Sequence, residues 1–343
     1  MSTTILLGYS ARCARSTCNL PPRRYKEGLI AGCLVIGGGF IGAHLATRLA
    51  RDGNDVTLYS RSFSEWLLRK RKDDSGQIRL IEGEVPPGRG LTRLIANADV
   101  VFYMAGASTP AMASNDPGGS ISRHVVPAAA VLDLMRETAS RRLVIASSGG
   151  TVYGIATRLP TPEDHPTQPI SLHGHHSLAV ERYAQFFAER YDFEPIILRF
   201  SNPYGPGQIA RRGQGVIAAW SLAIAREDPL VVYGDLGTQR DFLYIDDLIE
   251  ATVRAGLSAP AGVYNVGSGI STPLREVIHL LIAKAGKPTE VVEEDARPVD
   301  VPITHLDCSR LQYATGWHPT VSLADGINAS LEWAQSTLYR VEA

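Results

Sequence analysis

Leu34 to Arg48, LVIGGGFIGAHLATR, reads as strand, glycine turn and helix. Leu34, Val35 and Ile36 form a short apolar run suited to a buried parallel strand, and Ile41, Leu45 and Leu49 recur at helical spacing after the glycines. Gly37, Gly39 and Gly42 fit G-x-G-x-x-G. The first permits a tight turn, the second lets a pyrophosphate approach the backbone, and the third lets helix and strand pack closely. Phe40 and Ile41 lie inside the same turn and join the glycines as candidate cofactor contacts. The phosphates would rest on the helix N-terminus, where unpaired N–H groups and the helix dipole favour anions. A lone motif of this kind also occurs in ordinary turns. Here the strand before it, the helix after it and a second strand at Val56 to Tyr59 supply the context it requires.

Working outward, that second strand ends at Ser60-Arg61. Many NAD sites carry an acid at this strand end for the adenosine ribose. Ser60 offers no carboxylate to repel a 2′-phosphate and Arg61 stands beside it, so NAD or NADP is the expected cofactor; Arg61 either reads a phosphate or stacks on adenine. Ile78 to Ile81 and Val100 to Met104 give two more strands, the latter leading into Ala105-Gly106-Ala107, small enough for close cofactor approach. Helical spacing over Val125 to Thr138, a strand at Leu143 to Ala146, a helix marked by Ala179, Val180, Tyr183, Phe186 and Phe187, and a strand at Pro195 to Phe200 complete the alternation. The expected fold class is α/β, a Rossmann-like doubly wound parallel sheet over 31–200 with a return segment near 235–265. From Asn202 the texture breaks at Pro203, Gly205, Pro206 and Gly207, so 201–234 and 266–335 are expected to form a smaller mixed α/β substrate domain at the sheet's carboxyl edge.

The bulk properties narrow the partners. With 34 basic and 35 acidic residues in 343, the chain gives no electrostatic case for nucleic acid or an anionic membrane, and a small-molecule ligand is expected. No apolar stretch approaches the length of a membrane span. Cys13, Cys18, Cys33 and Cys308 show neither zinc-type pairing nor a secreted disulfide framework, which favours a reducing, cytoplasmic location. Residues 1–30 hold Arg12, Arg15, Arg23, Arg24 and Lys26 with no acid before Glu27; they read as a flexible extension, with a transit peptide as the alternative.

Several stretches beyond the glycine turn match one pattern in order: SSGGTVYG at 147–154, LRFSNPYGPGQ at 198–208, GQGVI at 213–217, RDFLYIDD at 240–247, YNVGSG at 264–269 and RPVD at 297–300. From residue 31 on, the chain resembles the extended short-chain dehydrogenase/reductases of the nucleotide-sugar epimerase and dehydratase family. The resemblance implies an enzyme that oxidises the sugar C4 carbon through a nicotinamide cofactor and, in an epimerase, returns the hydride to the other face of the 4-keto intermediate. It implies a nucleotide-sugar substrate and a homodimer. It also implies contacts to the nucleotide from Asn202, Val216, Arg240, Arg297 and Asp300. Guanidinium forks suit a pyrophosphate, and Asp300 can accept from ribose hydroxyls. The plainer reading pairs Arg240 with Asp241 or Asp246.

One part of the pattern is replaced. Family members similar around SSGGTVYG read roughly I-S-P-Y-G-x-S-K where this chain has ISLHGHHS, so His173 takes the tyrosine position and Ser177 the lysine position. The loop position usually filled by Ser or Thr is Gly149, leaving Ser148 and Thr151 as the nearby hydroxyls. A tyrosine, with a pKa of about 10, needs a neighbouring cation to act as a base near neutrality. A histidine, at about 6.5, does not. The double replacement is coherent for a His-based enzyme, and it is equally what a catalytically silent nucleotide-sugar binding protein would carry; a 4-keto reductase or dehydratase is a further alternative, the dehydratase arm weaker because the resemblance implies an Asp-Glu pair where this chain has Gly150-Thr151. His173, His175 and His176 have no acid or cysteine close in sequence to complete a metal shell, and no metal is expected.

Overall fold

The computed structural model describes residues 30–70, 78–85, 90–106, 110–209 and 215–338; the expectations for 1–29, Ala107 and residues 213–214 lie outside them. Strand β1 (Gly32–Ile36) turns into helix α1 (Phe40–Arg51), followed by β2 (Asp55–Ser60), α2 (Glu65–Lys70), β3 (Ile78–Glu82), α3 (Gly90–Ala96) and β4 (Val100–Tyr103). Next come α4 (Pro110–Asn115), α5 (Pro117–Arg136), β5 (Arg142–Ser148), α6 (Leu172–Tyr191) and β6 (Glu194–Phe200). The rest is β7 (Asn202–Tyr204), α7 (Val216–Arg226), β8 (Leu230–Tyr233), β9 (Gln239–Tyr244), α8 (Ile245–Ser258), β10 (Gly262–Val266), β11 (Ser271–Pro273), α9 (Leu274–Ala285), β12 (Val291–Glu294), α10 (Ser309–Thr315) and α11 (Leu323–Leu338).

Seven strands form one sheet in the order β10-β6-β5-β4-β1-β2-β3, with parallel pairing between neighbours. Apolar side chains on both faces explain why: alternate residues point to opposite sides, and here both sides are covered. Val35, Leu58, Phe102, Val144 and Leu198 pack towards α1 and α8, whereas Leu34, Ile36, Val101, Leu143 and Ile197 pack towards α3, α5 and α6. The chain leaves the sheet after β6 and rejoins it through α8 and β10. A third apolar cluster, centred on Trp220, Val232, Phe242, Val277 and Ile327, joins α7, α9 and α11 to the short sheets β11-β9-β7 and β12-β8.

One helix differs from its sequence reading. Spacing places a start at Val125, but α5 begins at Pro117, because the Asp116 side chain accepts from the Gly119 N–H at 3.0 Å and Pro117 occupies the first turn. The added turns bring Ser120, Arg123 and His124 onto the helix.

Candidate active site

The glycine turn is set by steric necessity. Gly37 has φ +113°, and a Cβ on it would sit 2.7 Å from the Ala105 nitrogen. A Cβ on Gly42 would lie 1.8 Å from the Gly37 carbonyl oxygen, so helix and strand meet only through glycine. Gly39 is different: at the N-terminus of α1 it has an ordinary φ of −74°, and a Cβ there would meet nothing within 4 Å. That open space is the cradle a pyrophosphate needs, with the first-turn N–H groups of α1 beneath it. A cavity of about 690 Å3 runs over it, walled by Gly37, Gly39, Phe40 and Ile41, by Ser60 and Arg61, and by Ala105 and Gly106. Gly42 packs behind this wall. Arg61 is exposed at the cavity's β2 end; the nearby Glu65 is ion-paired with Arg69.

The first turn of α6 carries His173. Ser171 caps the helix by accepting from the Gly174 N–H at 3.2 Å, and a Cβ on Gly174 would lie 2.7 Å from the Thr151 carbonyl, so the SSGGTVYG loop is seated against the helix start. Within that loop Gly149 admits no side chain: a Cβ would come within 2.6 Å of Leu306 and 2.8 Å of the Arg199 carbonyl. The position that holds Ser or Thr elsewhere in the resemblance is thus sterically closed here. Thr151 Oγ1 is buried without a hydrogen-bond partner, and Ser148, half-buried at the end of β5, accepts at its carbonyl from Thr151 and Val152 N–H. Ser177 does not serve as the lysine's replacement in reach: it is 3% exposed, and its hydroxyl donates back to the His173 carbonyl at 3.0 Å.

A residue that sequence reasoning passed over stands opposite His173. The ring of His124, on α5, lies 5.5 Å from that of His173 in an edge-to-face arrangement, and its Cε1 is 3.2 Å from where a Gly106 Cβ would be. His173 is thereby tied to the cofactor cavity's wall. Desolvation pushes His173 down to about 4, with His176 adding to the effect; His124 is pushed to about 4 by burial, then by His173 and His176. Both rings are therefore neutral at pH 7, so either can accept a proton, but burial makes each a weaker base than the free imidazole of about 6.5 that the sequence suggests. The signal that could have found His124 was Asp116-Pro117, a helix start that puts residue 124 two turns into α5.

Two turns along α6 from His173, Glu181 is 1% exposed and holds Arg199 of β6 through two bonds, at 3.0 and 2.7 Å. Ser147 donates to the same carboxylate. Arg199 also donates to Tyr153 Oη at 2.9 Å, and Tyr153 donates to Asn265 of β10 at 2.7 Å. Sheet, loop and helix are locked to one another through charge-assisted bonds.

On the other lobe, Asn202 of β7 donates to the Asp241 carbonyl of β9 at 3.3 Å, and Val216 opens α7 after Gly215 at φ +74°. Arg240 is not paired with Asp241, whose buried carboxylate accepts from Ser268, Gly269 and Leu306 instead. Its pKa is lowered by desolvation, opposed by Asp300. Arg297 lies 3.6 Å above the Tyr233 ring, a cation–π stack, and its carbonyl accepts from the Asp300 N–H at 3.1 Å. Among the described residues neither arginine makes an ion pair. No helix among the described residues is long and apolar enough to cross a membrane.

Comparison with known proteins agrees with this geometry. The profile of the NAD dependent epimerase/dehydratase family matches residues 33–267. A UDP-glucose 4-epimerase of Mycolicibacterium smegmatis is 32% identical over 305 residues, 88% of this chain and 97% of that protein. A dTDP-4-dehydro-6-deoxyglucose reductase of Escherichia coli is 28% identical over 87% of this chain and 95% of its own length. Among solved structures, the UDP-glucose 4-epimerase of Thermotoga maritima with UDP-glucose superposes with a TM-score of 0.83 at 27% identity, covering 89% of this chain and 99% of that one. The Thermus thermophilus UDP-glucose 4-epimerase complex with NAD superposes at 0.80 and 28% identity, covering 88% and 98%.

Proposed function

Because the chain belongs to the NAD dependent epimerase/dehydratase family, we propose that it is an NAD(P)-dependent nucleotide-sugar 4-epimerase in which His173 takes the tyrosine's part. The observation that carries this reading is the His173 ring packed 5.5 Å from the His124 ring, whose Cε1 abuts Gly106 in the wall of the cofactor cavity. Bound in that cavity, the nicotinamide would accept and return the C4 hydride. The protein's share is to bind, orient and move one proton. The α1 N-terminus and Gly39 hold the pyrophosphate, while Arg240, Arg297, Asp300, Asn202 and Val216 hold the nucleotide of the sugar. His173 removes the C4 hydroxyl proton and restores it after the ketone turns over, with Ser148 and Thr151 as the nearby hydroxyl groups.

In this reading the sheet layer, with the return through α8 and β10, is the dinucleotide lobe, and the elements of the third cluster form the nucleotide-sugar lobe. The chain works as a homodimer in the cytoplasm. Ile121 and Val126 on α5 and Tyr183 and Phe186 on α6, two helices packed together, expose their apolar side chains and supply the subunit contact. Sedimentation of the purified protein tests the dimer, which a monomer at micromolar concentration refutes.

The deciding experiment incubates the protein with UDP-, dTDP- and GDP-sugars and added NAD or NADP. Formation of the C4 epimer from one of them is the expected outcome. Tight binding of both ligands with no conversion of any sugar favours the silent binding protein instead.

A further inference from the structure

Besides the glycine turn, helix α5 walls the cofactor cavity, through Ser122, Arg123 and Pro127. Among the described residues around that cavity, Arg61 and Arg123 are the basic ones. Arg61 stands at the end of β2, the adenosine side of a dinucleotide lying on the turn. The first turn of α1 brings N–H groups but no charged side chain, since Phe40, Ile41, Gly42 and Ala43 open the helix. A pyrophosphate carries two negative charges, and a helix N-terminus, equivalent to about half a positive charge, leaves most of that unbalanced.

Arg123 is held loosely where it is. Its Nη2 donates to Asp116 Oδ2 at 2.8 Å, in an ion pair whose two side chains are 37% and 55% exposed, and such pairs bind weakly. Its Nε is shut away from water and has no hydrogen-bond partner among the described residues. A buried donor without an acceptor is a cost that this rotamer carries. Gly119, one turn earlier, is what admits the guanidinium: a Cβ there would lie 2.7 Å from Nη1. Pro127, one turn later and also in the cavity wall, has no N–H to give the Arg123 carbonyl. Two poor helix formers thus flank the arginine within α5, where a wall built only for packing would favour alanine. Nor does the helix start need the pair, because Asp116 caps α5 through Oδ1, which accepts from the Gly119 N–H at 3.0 Å.

We propose that Arg123 is a pyrophosphate-binding residue of the cofactor site: when a dinucleotide enters, the guanidinium exchanges Asp116 for pyrophosphate oxygens, and the anion is held between α5 and the N-terminus of α1. The freed Nε and terminal nitrogens then form the planar fork that suits phosphate oxygens. Asp116 keeps its capping bond, so the start of α5 survives the exchange. This rests on the assignment of the cavity to a dinucleotide and requires neither His173 nor turnover of a sugar.

Calorimetry on the whole protein tests this with NAD and with ADP, which keeps the diphosphate but lacks the nicotinamide half. Arg123→Gln is expected to weaken both ligands alike, about ten- to a hundredfold, the loss of a charge-assisted contact, and to flatten the salt dependence of NAD binding. Asp116→Asn retains a capping acceptor but releases the guanidinium, so it is expected to tighten both ligands about two- to fivefold. A pair that only staples the helix start predicts the opposite for Asp116→Asn: weaker binding, in step with Arg123→Gln. That result overturns the proposal. Unchanged affinity in Arg123→Gln overturns it too, as does a loss for NAD with none for ADP, which moves the guanidinium to the nicotinamide end. A wild type that binds neither ligand removes the dinucleotide from this cavity and the proposal with it. A wild type that binds both but converts no sugar refutes the epimerase reading alone, and the two substitutions still decide the role of Arg123.

Discussion

The glycine turn and the start of α6 form opposite cases within one molecule. At the turn, Gly37 and Gly42 leave no room for a Cβ, and Gly39 borders a space that a bound pyrophosphate would fill. At α6 the helix has its cap and its seat against Thr151, while His173, Ser177 and Gly149 stand where the resemblance implies Tyr, Lys and a Ser or Thr. Binding a dinucleotide is a task for backbone shape, so the residues that can do it are few. Moving a proton is a task for a functional group at a location, and more than one side chain can do it.

The contrast can be broken most severely at Gly39. Gly39→Val adds atoms to open space, so the Tm should stay within a few degrees while calorimetric NAD binding is lost; unchanged affinity would remove the turn from the cofactor site. Next in size, His173→Ala should lower turnover about a hundred- to ten-thousandfold and leave nucleotide-sugar binding nearly intact. His173→Tyr alone should fare no better, because a phenol without its lysine stays protonated at pH 7. Wild-type turnover in the alanine variant would transfer the base's role elsewhere.

Smaller effects sharpen the picture. If Arg61 reads a 2′-phosphate, Arg61→Ala should weaken NADP relative to NAD by about 1.5 to 3 kcal/mol, the range for a hydrogen bond to a charged group. Equal losses would show that the guanidinium stacks on adenine. The last concerns pH. His124 and His173 sit near 4 in the folded chain and near the ordinary 6.5 unfolded, so between those values the unfolded state binds more protons. Stability should therefore be full above about 6.5 and fall as the pH drops towards 4, by roughly 2 kcal/mol per pH unit for the two groups together. Urea titrations at pH 7, 6 and 5 check this, and His124→Phe should flatten the slope.

What the sequence disclosed follows the same division. The inner strands were legible because both faces of the sheet are covered, leaving apolar runs such as Leu34-Val35-Ile36 and Val100-Val101-Phe102, whereas β3 at the sheet's edge breaks its run with the exposed Arg79. Eight of the nine proposed cofactor positions, all but Gly42, line one cavity for a related reason: the turn, the end of β2 and the loop after β4 lie at one edge of a parallel sheet. Asp116-Pro117 announces the helix that carries His124, but what that residue meets was not legible, because its neighbours come from α6, across the α5·α6 packing. The closure of Gly149 by Leu306 and Arg199 was hidden likewise, since it depends on a side chain more than a hundred residues away. Ser177 looked available in sequence; its bond to the His173 carbonyl belongs to the helix that forms.

The buried Glu181–Arg199 pair gives α6 two different lifetimes. Breaking it would strand a charge in the interior, so backbone amides around Glu181 should open to solvent only when the whole sheet does, and exchange hydrogen on the slowest timescale in the protein. The first turn is held by the Ser171 cap and its seat against Thr151, so its amides should exchange by local fraying instead. Hydrogen exchange would then grade along α6, slowest around Glu181 and faster towards the turn that carries His173, so that any adjustment to a sugar turning over belongs to the helix start and not to its buried stem.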